Sequence, residues 1–230
     1  MFILLSVAIA PALALLSYFY LRKEIAKEPS KLLLHSFIYG AILTFPILFI
    51  QHVIQEEELF SSLFIHQALV TSALEEFFKW LILVIVIYKH VEFDDPYDGI
   101  LYGASVALGF ATVENILFLL NFGMEEAFIR ALLPVSSHAL FGIVMGYYLG
   151  RAKFAASRKA KNEIMYAFLA SFVLHTIYNS ILIIKGLDLL LIVPFMLFLW
   201  LFGLSKAKKA HILSRHKRME QHQFYMREEI

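Results

Sequence analysis

Two adjacent glutamates and a lysine stand in the middle of an apolar stretch of this sequence. Glu75, Glu76 and Lys79 lie within residues 63–88, a mostly apolar run that is long enough to cross a bilayer. Each charge at such a depth costs about 2.5–3.5 kcal/mol on membrane-insertion scales, so charged residues there usually serve a function. The three charges therefore predict a functional site inside a membrane.

The spacing of these three residues indicates how they share their tasks. Lys79 follows Glu75 by four positions and Glu76 by three, so on a helix either carboxylate can pair with the ammonium. A glutamate beside apolar walls can take a proton from water, which is the work of a general base. We expect one glutamate to be held by Lys79 and the other to be free to act. The structural alternative is a salt bridge that only pairs helices.

Polar residues in three further apolar segments are candidate partners for this group. Glu114, His138 and His175 lie in different segments, and Asn179 follows His175 by one helical turn. Counted along each segment at 1.5 Å per residue, the ionisable groups lie about 10–20 Å from the outer face. Four helices therefore predict one shared site in the outer half of the bilayer. Helix capping or bridging is the alternative for Glu114, and packing is the alternative for His138.

The residue types in this group allow two kinds of chemistry. In one, a glutamate activates water while His and Asn side chains donate hydrogen bonds to a developing oxyanion. In the other, Glu114, His138 and His175 join a further Glu in binding a divalent metal ion such as zinc. Cysteine is absent, which excludes thiolate ligands, and neither H-E-x-x-H nor G-x-S-x-G occurs.

The composition of the chain places it in a membrane. Hydrophobic residues make up 60% of the 230 residues and charged residues 17%, against about 45–50% and about 25% in soluble domains. Apolar windows of membrane-crossing length recur along the chain, and alternating barrel strands are absent. We therefore predict an all-α polytopic membrane protein with seven transmembrane helices, over residues 1–21, 32–54, 63–88, 98–121, 128–150, 164–184 and 187–204.

The distribution of basic residues sets the expected orientation of these helices. With the N-terminus outside, 17 of the 20 Lys and Arg residues fall in cytoplasmic loops and the tail, as the positive-inside rule requires. The sequence therefore predicts an outer N-terminus and a cytoplasmic C-terminus. Residues 1–205 form one transmembrane domain, and residues 206–230 form a basic cytoplasmic tail that is attracted to anionic lipid.

Four ordered motifs resemble those of a known family. They are Glu75-Glu76-x-x-Lys79, Phe110-x-x-x-Glu114, His138-x-x-x-Gly142 and His175-x-x-x-Asn179. Their order and spacing resemble the PrsW family of bacterial membrane proteases, and the likeness extends over nearly the whole chain, to about residue 210. More distantly, the pattern is similar to the clan of CAAX prenyl endopeptidases and bacteriocin-processing enzymes.

The resemblance implies an activity and a cellular context. The protein would be an intramembrane endopeptidase of the bacterial cell membrane that makes the first cut in a single-span anti-sigma factor. A site-2-type protease would then act in the same pathway to release the sigma factor. Besides this substrate and the lipid bilayer, we expect no nucleic acid as a partner.

The resemblance also implies roles for single residues. Glu75 would activate the water, with Glu76 as the second candidate, while His175 and Asn179 would hold the oxyanion. Lys79, Glu114 and His138 would support the site. The last motif of the family is His-x-x-x-Asp, whereas position 179 is Asn in this sequence. This departure weakens a metal site more than it weakens glutamate chemistry, so we expect that no metal is required, with zinc as the alternative.

Two other functions fit the same residues. A protease of the wider clan would instead process prenylated proteins or bacteriocin leader peptides. A proton-coupled carrier or channel could use the same carboxylates and histidines without cleaving a peptide bond. The two halves of the sequence lack the internal similarity that many carriers show.

The predicted orientation is open to a direct measurement. A reporter enzyme that works only in the cytoplasm, fused after the last residue, should be active in intact cells because the C-terminus lies inside. The same reporter fused before the first residue should be inactive. Activity only in the N-terminal fusion would overturn the orientation.

Overall fold

The protein is a bundle of helices. The computed structural model describes residues 2–23, 30–60, 62–122, 131–184 and 186–228, and these ranges contain no strand. This confirms the predicted all-α fold. The α-helices are α1 (Phe2–Leu21), α2 (Ser30–Glu56), α3 (Thr71–Ile82), α4 (Asp98–Phe122), α5 (Ser136–Lys153), α6 (Ser157–Ile183) and α7 (Asp188–Glu228).

Five of the described helices are long and apolar enough to cross a membrane. These helices are α1, α2, α4, α6 and α7. The third and fifth predicted spans, which contain α3 and α5, fall outside this group. The regular α-helix in the third span is short, with 12 residues in α3. Helix α5 has 18 residues, and its polar side chains, among them His138, Arg151 and Lys153, lower its mean hydropathy. The number of membrane crossings and the sidedness of the termini remain predictions.

Three π-helical segments extend these two short helices. Ile65–Val70 and Leu83–Ile87 flank α3, so that the chain is helical without a break from 65 to 87. Ala131–Val135, which contains Pro134, leads directly into α5. Wide turns of this type are frequent at functional sites. Residues 128–130, where the fifth span was predicted to begin, lie outside the described residues.

Close backbone contact joins the two central helices, α4 and α5. A Cβ atom at Gly103 would lie 2.2 Å from the carbonyl oxygen of Gly142, and one at Gly146 would lie 1.8 Å from that of Gly99. On another face of α4, a Cβ atom at Gly109 would lie 1.9 Å from a carbonyl oxygen of α2. Small residues thus bring three helices together, as small side chains do at membrane helix interfaces.

Helix α3 is attached to its neighbours by hydrogen bonds at the end away from its glutamates. The Trp80 indole donates to the carbonyl oxygen of Ile164 in α6 at 2.9 Å. Just beyond the second π-helical segment, the Lys153 ammonium of α5 donates to the carbonyl oxygen of Tyr88 at 2.5 Å. These contacts fix the height and rotation of α3 against α5 and α6.

Helix α7 continues far beyond its apolar part. The boundary predicted at residue 205 falls inside this helix, which is described to residue 228. One face of the extension is buried, with Ala210 and Ser214 among its buried residues. Ser214 donates to the carboxylate of Asp95, and His211 stacks on Tyr97 at 3.9 Å between ring centroids. Tertiary contacts therefore order this part of the basic tail.

The contact between α4 and α5 predicts the effect of a single methyl group. Gly146→Ala should lower the free energy of unfolding by about 1–3 kcal/mol, because overpacking forces backbones apart. Thermal unfolding of the purified protein in detergent measures this loss. Ala10→Val adds bulk at an exposed position of α1 and should leave the melting temperature nearly unchanged. Equal melting temperatures for Gly146→Ala and the unaltered protein would contradict the proposed packing.

Candidate active site

Helix α3 turns its polar face toward the inside of the bundle. Ser72, Glu75, Glu76 and Lys79 are all buried, with exposed fractions of 0%, 4%, 0% and 1%. Their spacing of i, i+3, i+4 and i+7 places them on one stripe of the helix. The helix is therefore amphipathic with its charged side inward, which keeps these charges away from lipid.

The Lys79 ammonium is the hub of the site. It lies 2.7 Å from Glu76 Oε1, 3.6 Å from Glu75 Oε2 and 3.1 Å from His138 Nδ1. On its remaining side it stands 4.3 Å from the centre of the Phe110 ring, close enough for a cation–π contact. Removal of one partner from a buried ion pair leaves an uncompensated charge, so these groups depend on one another.

The two glutamates have different environments. Glu76 Oε1 contacts both the Lys79 ammonium and His175 Nδ1, the latter at 2.9 Å. Glu75 makes one hydrogen bond among the described residues, which its Oε1 accepts from Gln51 Nε2 at 3.2 Å. Its Oε2 accepts no hydrogen bond and lies 3.9 Å from His138 Nε2. Glu76 is thus the tightly paired carboxylate, and Glu75 is the freer one.

His138 and Glu114 form a second pair beside the first. His138 Nε2 lies 3.0 Å from Glu114 Oε2, and the glutamate side chain is 28% exposed. Lys79, which is paired with Glu76, contacts the other ring nitrogen of His138. The imidazole therefore connects Glu114 to the Lys79–Glu76 ion pair. The structure therefore brings Glu114 and His138 into the same network as the residues of α3.

Aromatic rings enclose the histidines. Phe141 stacks on His175, with ring centroids 4.9 Å apart and planes at 21°, and Phe110 meets His138 edge-on at 5.4 Å. The two imidazoles are perpendicular, with centroids 5.1 Å apart. These ring contacts hold the imidazole planes in fixed orientations.

Asn179 lies beside this network rather than within it. Its amide donates to Ser72 Oγ at 3.0 Å and to the carbonyl oxygen of Gln67 at 3.3 Å. It makes no hydrogen bond with another of the predicted site residues in the part of the chain that the structure describes. The hydrogen bond to Ser72 connects α6 to α3. It lies next to the site, because Asn179 is one helical turn after His175.

The sequence did not point to two of the residues that complete the site. Gln51 lies near the predicted end of the second span, where a polar residue is expected to meet the membrane surface. Phe141 lies in an apolar segment, where nothing distinguishes it from lipid-facing aromatic residues. A usable signal for Phe141 was its spacing of three residues from His138, which places both on neighbouring faces of one helix.

Four of the buried side chains can hold a metal ion. Glu75, Glu76, His138 and His175 each offer one ligand atom, and these atoms all lie within 4.8 Å of one another. Glu75 Oε2 and Glu76 Oε2 are buried without a hydrogen-bond partner. Carboxylates and imidazoles are ligands that zinc accepts. The residues present therefore fit a divalent ion, which would share the carboxylates with Lys79.

The fold and this site together define a multi-pass membrane enzyme with its polar groups inside the helix bundle. Comparison with known families shows that residues 28–203 match the family described as "PrsW family intramembrane metalloprotease". The chain belongs to the PrsW family, and it is a protease of the bacterial cell membrane. This assignment confirms the predicted protease and decides against the carrier alternative.

Similar proteins cover almost the same length. The chain is 50% identical to Protease PrsW of Bacillus subtilis (strain 168) over 210 residues, which are 91% of this chain and 96% of the relative. It is 53% identical to Protease PrsW of Oceanobacillus iheyensis, over 90% and 96% of the two chains. Identity to Protease PrsW of Clostridioides difficile (strain 630) is 29%, over 88% and 89%. No solved structure matches the chain.

The fit of the buried ligands predicts the metal content of the protein. Purified protein exposed to zinc and then dialysed should keep about one ion per chain, because a site with three or four protein ligands binds zinc firmly. His138→Ala and His175→Ala should each lower this content strongly, as measured by inductively coupled plasma mass spectrometry. His52→Ala, at a histidine whose side chain is 66% exposed, is the control. Equal zinc content in all four proteins would exclude this site.

Proposed function

We propose that this protease makes the first cut in a single-span anti-sigma factor of the bacterial cell membrane. The observation that carries the proposal is the Glu75–Glu76–Lys79 group, which is buried inside the helix bundle rather than in a separate domain. A peptide bond reaching this group has to belong to a chain that enters the bundle. A substrate that is itself anchored in the bilayer meets that requirement.

Glu75 is the general base of the proposed reaction. Its Oε2 accepts no hydrogen bond among the described residues, whereas Glu76 Oε1 is occupied by Lys79 and His175. The freer carboxylate is the one that can take a proton from the attacking water. It then gives this proton to the departing amine, so that the carboxylate is regenerated.

His175 stabilises the negative charge that develops on the carbonyl oxygen. Glu76 contacts its Nδ1 at 2.9 Å, and Phe141 fixes the plane of its ring. In this role the imidazole carries a proton on both nitrogens, so that Nδ1 donates to the Glu76 carboxylate and Nε2 donates to the oxyanion. Asn179 supports this arrangement from one turn away, through its bonds to Ser72 and Gln67.

Lys79 and the His138–Glu114 pair supply the remaining electrostatics. Lys79 balances the charge of Glu76 and lies 3.6 Å from Glu75, which keeps two adjacent carboxylates compatible in the membrane interior. His138 stands between Lys79 and Glu114 and 3.9 Å from Glu75. This places a proton-exchanging group next to the base.

The family description as a metalloprotease and the fit of the ligands support zinc over the interpretation without metal. With zinc, Glu76, His138 and His175 would hold the ion, His175 would be a ligand instead of the oxyanion donor, and Glu75 would be left as the base. When bound there, zinc would supply Lewis-acid polarisation of the scissile carbonyl group. The work of Glu75 in taking and returning a proton is the same in either case.

The proposed substrate also accounts for the order of events in the pathway. A first cut near the outer face shortens the extracytoplasmic part of the anti-sigma factor. The membrane-bound remainder is then a substrate for a site-2-type protease, whose cut releases the sigma factor. The bilayer is the medium in which enzyme and substrate meet, and nucleic acid has no part in this step.

Purified protein and a tagged single-span anti-sigma factor test this function. Glu75→Gln and His175→Ala should each reduce cleavage at least about 100-fold, since general acid–base groups contribute 10²–10⁴ to rate. Glu56→Gln and His52→Ala change the same residue types at exposed positions and should cleave normally. Gel electrophoresis of the tagged fragments measures the rates.

The controls of this experiment separate the rival functions. Loss of cleavage in Glu75→Gln with unchanged accumulation in the membrane supports the catalytic assignment. Normal cleavage by Glu75→Gln and by His175→Ala would refute it. An intact anti-sigma factor, combined with cleavage of a prenylated protein or a bacteriocin leader, would instead favour an enzyme of the wider clan.

A further inference from the structure

Within the described part of the chain, Gln51 is the one neutral side chain that donates a hydrogen bond to the proposed base. Its Nε2 donates to Glu75 Oε1 at 3.2 Å, across the contact between α2 and α3. Among the described residues, Glu75 accepts no other hydrogen bond, and its second oxygen is buried without one. The orientation of the Glu75 carboxylate therefore depends on this amide.

The two carboxylate oxygens of Glu75 thereby acquire different tasks. Oε1 is held by the Gln51 amide, while Oε2 faces Lys79 at 3.6 Å and His138 Nε2 at 3.9 Å. Both of these distances exceed a hydrogen bond, so neither contact fixes the carboxylate as the amide does. A side chain held at one oxygen presents the other to a water molecule in a constant direction.

We propose that Gln51 is a positioning residue of the protease, which sets the direction of the Glu75 carboxylate. This inference rests on the proposed role of Glu75 as general base. It assigns a function in the site to α2, a helix that contributes none of the motif residues. Preorganisation of this kind requires that the supporting side chain is itself held by a rigid element.

Helix α2 meets that requirement. Gly40, Thr44, Ile47 and Gln51 follow one another at i, i+4, i+7 and i+11, which is one face of the helix. A Cβ atom at Gly40 would lie 1.9 Å from a carbonyl oxygen of α4. Thr44 Oγ1 donates to the carbonyl oxygen of Phe110, also in α4, at 3.4 Å. Ile47 is fully buried. The face that ends at Gln51 is thus locked against the centre of the bundle.

An open cleft lies one helical turn beyond Gln51. Its volume is about 420 Å³, and it lies between the end of α2 and the π-helical segment that precedes α3. Its lining is mixed, with the polar residues Gln55, Glu58, His66 and Gln67 and the apolar residues Ile54, Phe60 and Leu63. Gln55 follows Gln51 by four positions, so the face of α2 that carries Gln51 continues into the wall of this cleft.

Kinetics of Gln51→Met test this role, because methionine keeps the length of the side chain and removes the donor. With the tagged anti-sigma factor as substrate, kcat should fall about 10- to 100-fold, as expected for a hydrogen bond to a charged group, and KM should change less than about twofold. Gln51→Asn keeps an amide and should recover part of kcat. His52→Met, at the neighbouring exposed position, should behave as the unaltered protein.

Infrared spectroscopy provides a readout that needs no cleavage. The difference spectrum between unaltered protein and Gln51→Met should contain a shift of a carboxyl stretching band, because one carboxyl group loses its donor. The same substitution in a Glu75→Gln background should leave that band unchanged. If the unaltered protein fails to cut the anti-sigma factor, the proposed function fails, and the infrared comparison still decides whether Gln51 holds Glu75.

Three results would overturn the inference. The first is an unchanged kcat in Gln51→Met, and the second is a loss that appears in KM alone. The third is a carboxyl band that shifts equally in the presence and absence of Glu75. Thermal unfolding of each variant shows whether it is folded, and Gln51→Asn carries the comparison if the methionine variant is unstable.

Discussion

The ammonium group of Lys79 is the interaction on which the rest of this structure depends. A positive charge in the interior of a membrane protein is tolerable only when opposite charge and hydrogen-bond acceptors surround it. Glu76, Glu75 and His138 provide these contacts, and the ring of Phe110 closes the remaining side. Helices α4 and α5, which carry Phe110 and His138, therefore have to approach α3 closely.

The glycines make this approach possible. Helices α4 and α5 touch through their backbones at Gly99, Gly103, Gly142 and Gly146, and α2 contacts α4 in the same manner. Because glycine has no side chain, α4 and α5 can approach closely enough for Glu114 and His138 to contact each other beside α3. The short α-helices α3 and α5 are extended by π-helical turns rather than by regular turns. Burial of the charged side chains therefore depends on the close helix packing that the small residues allow.

The same network makes two neighbouring glutamates unequal. Glu76 receives both the ammonium and the imidazole of His175, so one of its oxygens is committed to holding the helices together. Glu75 receives only the Gln51 amide as a hydrogen-bond donor among the described residues. Adjacent identical residues can therefore divide structural and chemical work, because neighbours on a helix point about 100° apart and meet different partner helices.

The sequence by itself determined the membrane class, the helical fold, the family and the candidate residues. Hydropathy and helical periodicity are local properties, so they identified the apolar segments and placed Lys79 within reach of both glutamates. The choice between those two pairings was decided by tertiary structure, as were the Gln51 contact with Glu75 and the turn of Asn179 toward Ser72. Contacts between helices depend on the rotation and height of each partner, which the spacing within one helix does not contain. For the same reason, the ordered extension of α7 was visible only in the packing of its buried face.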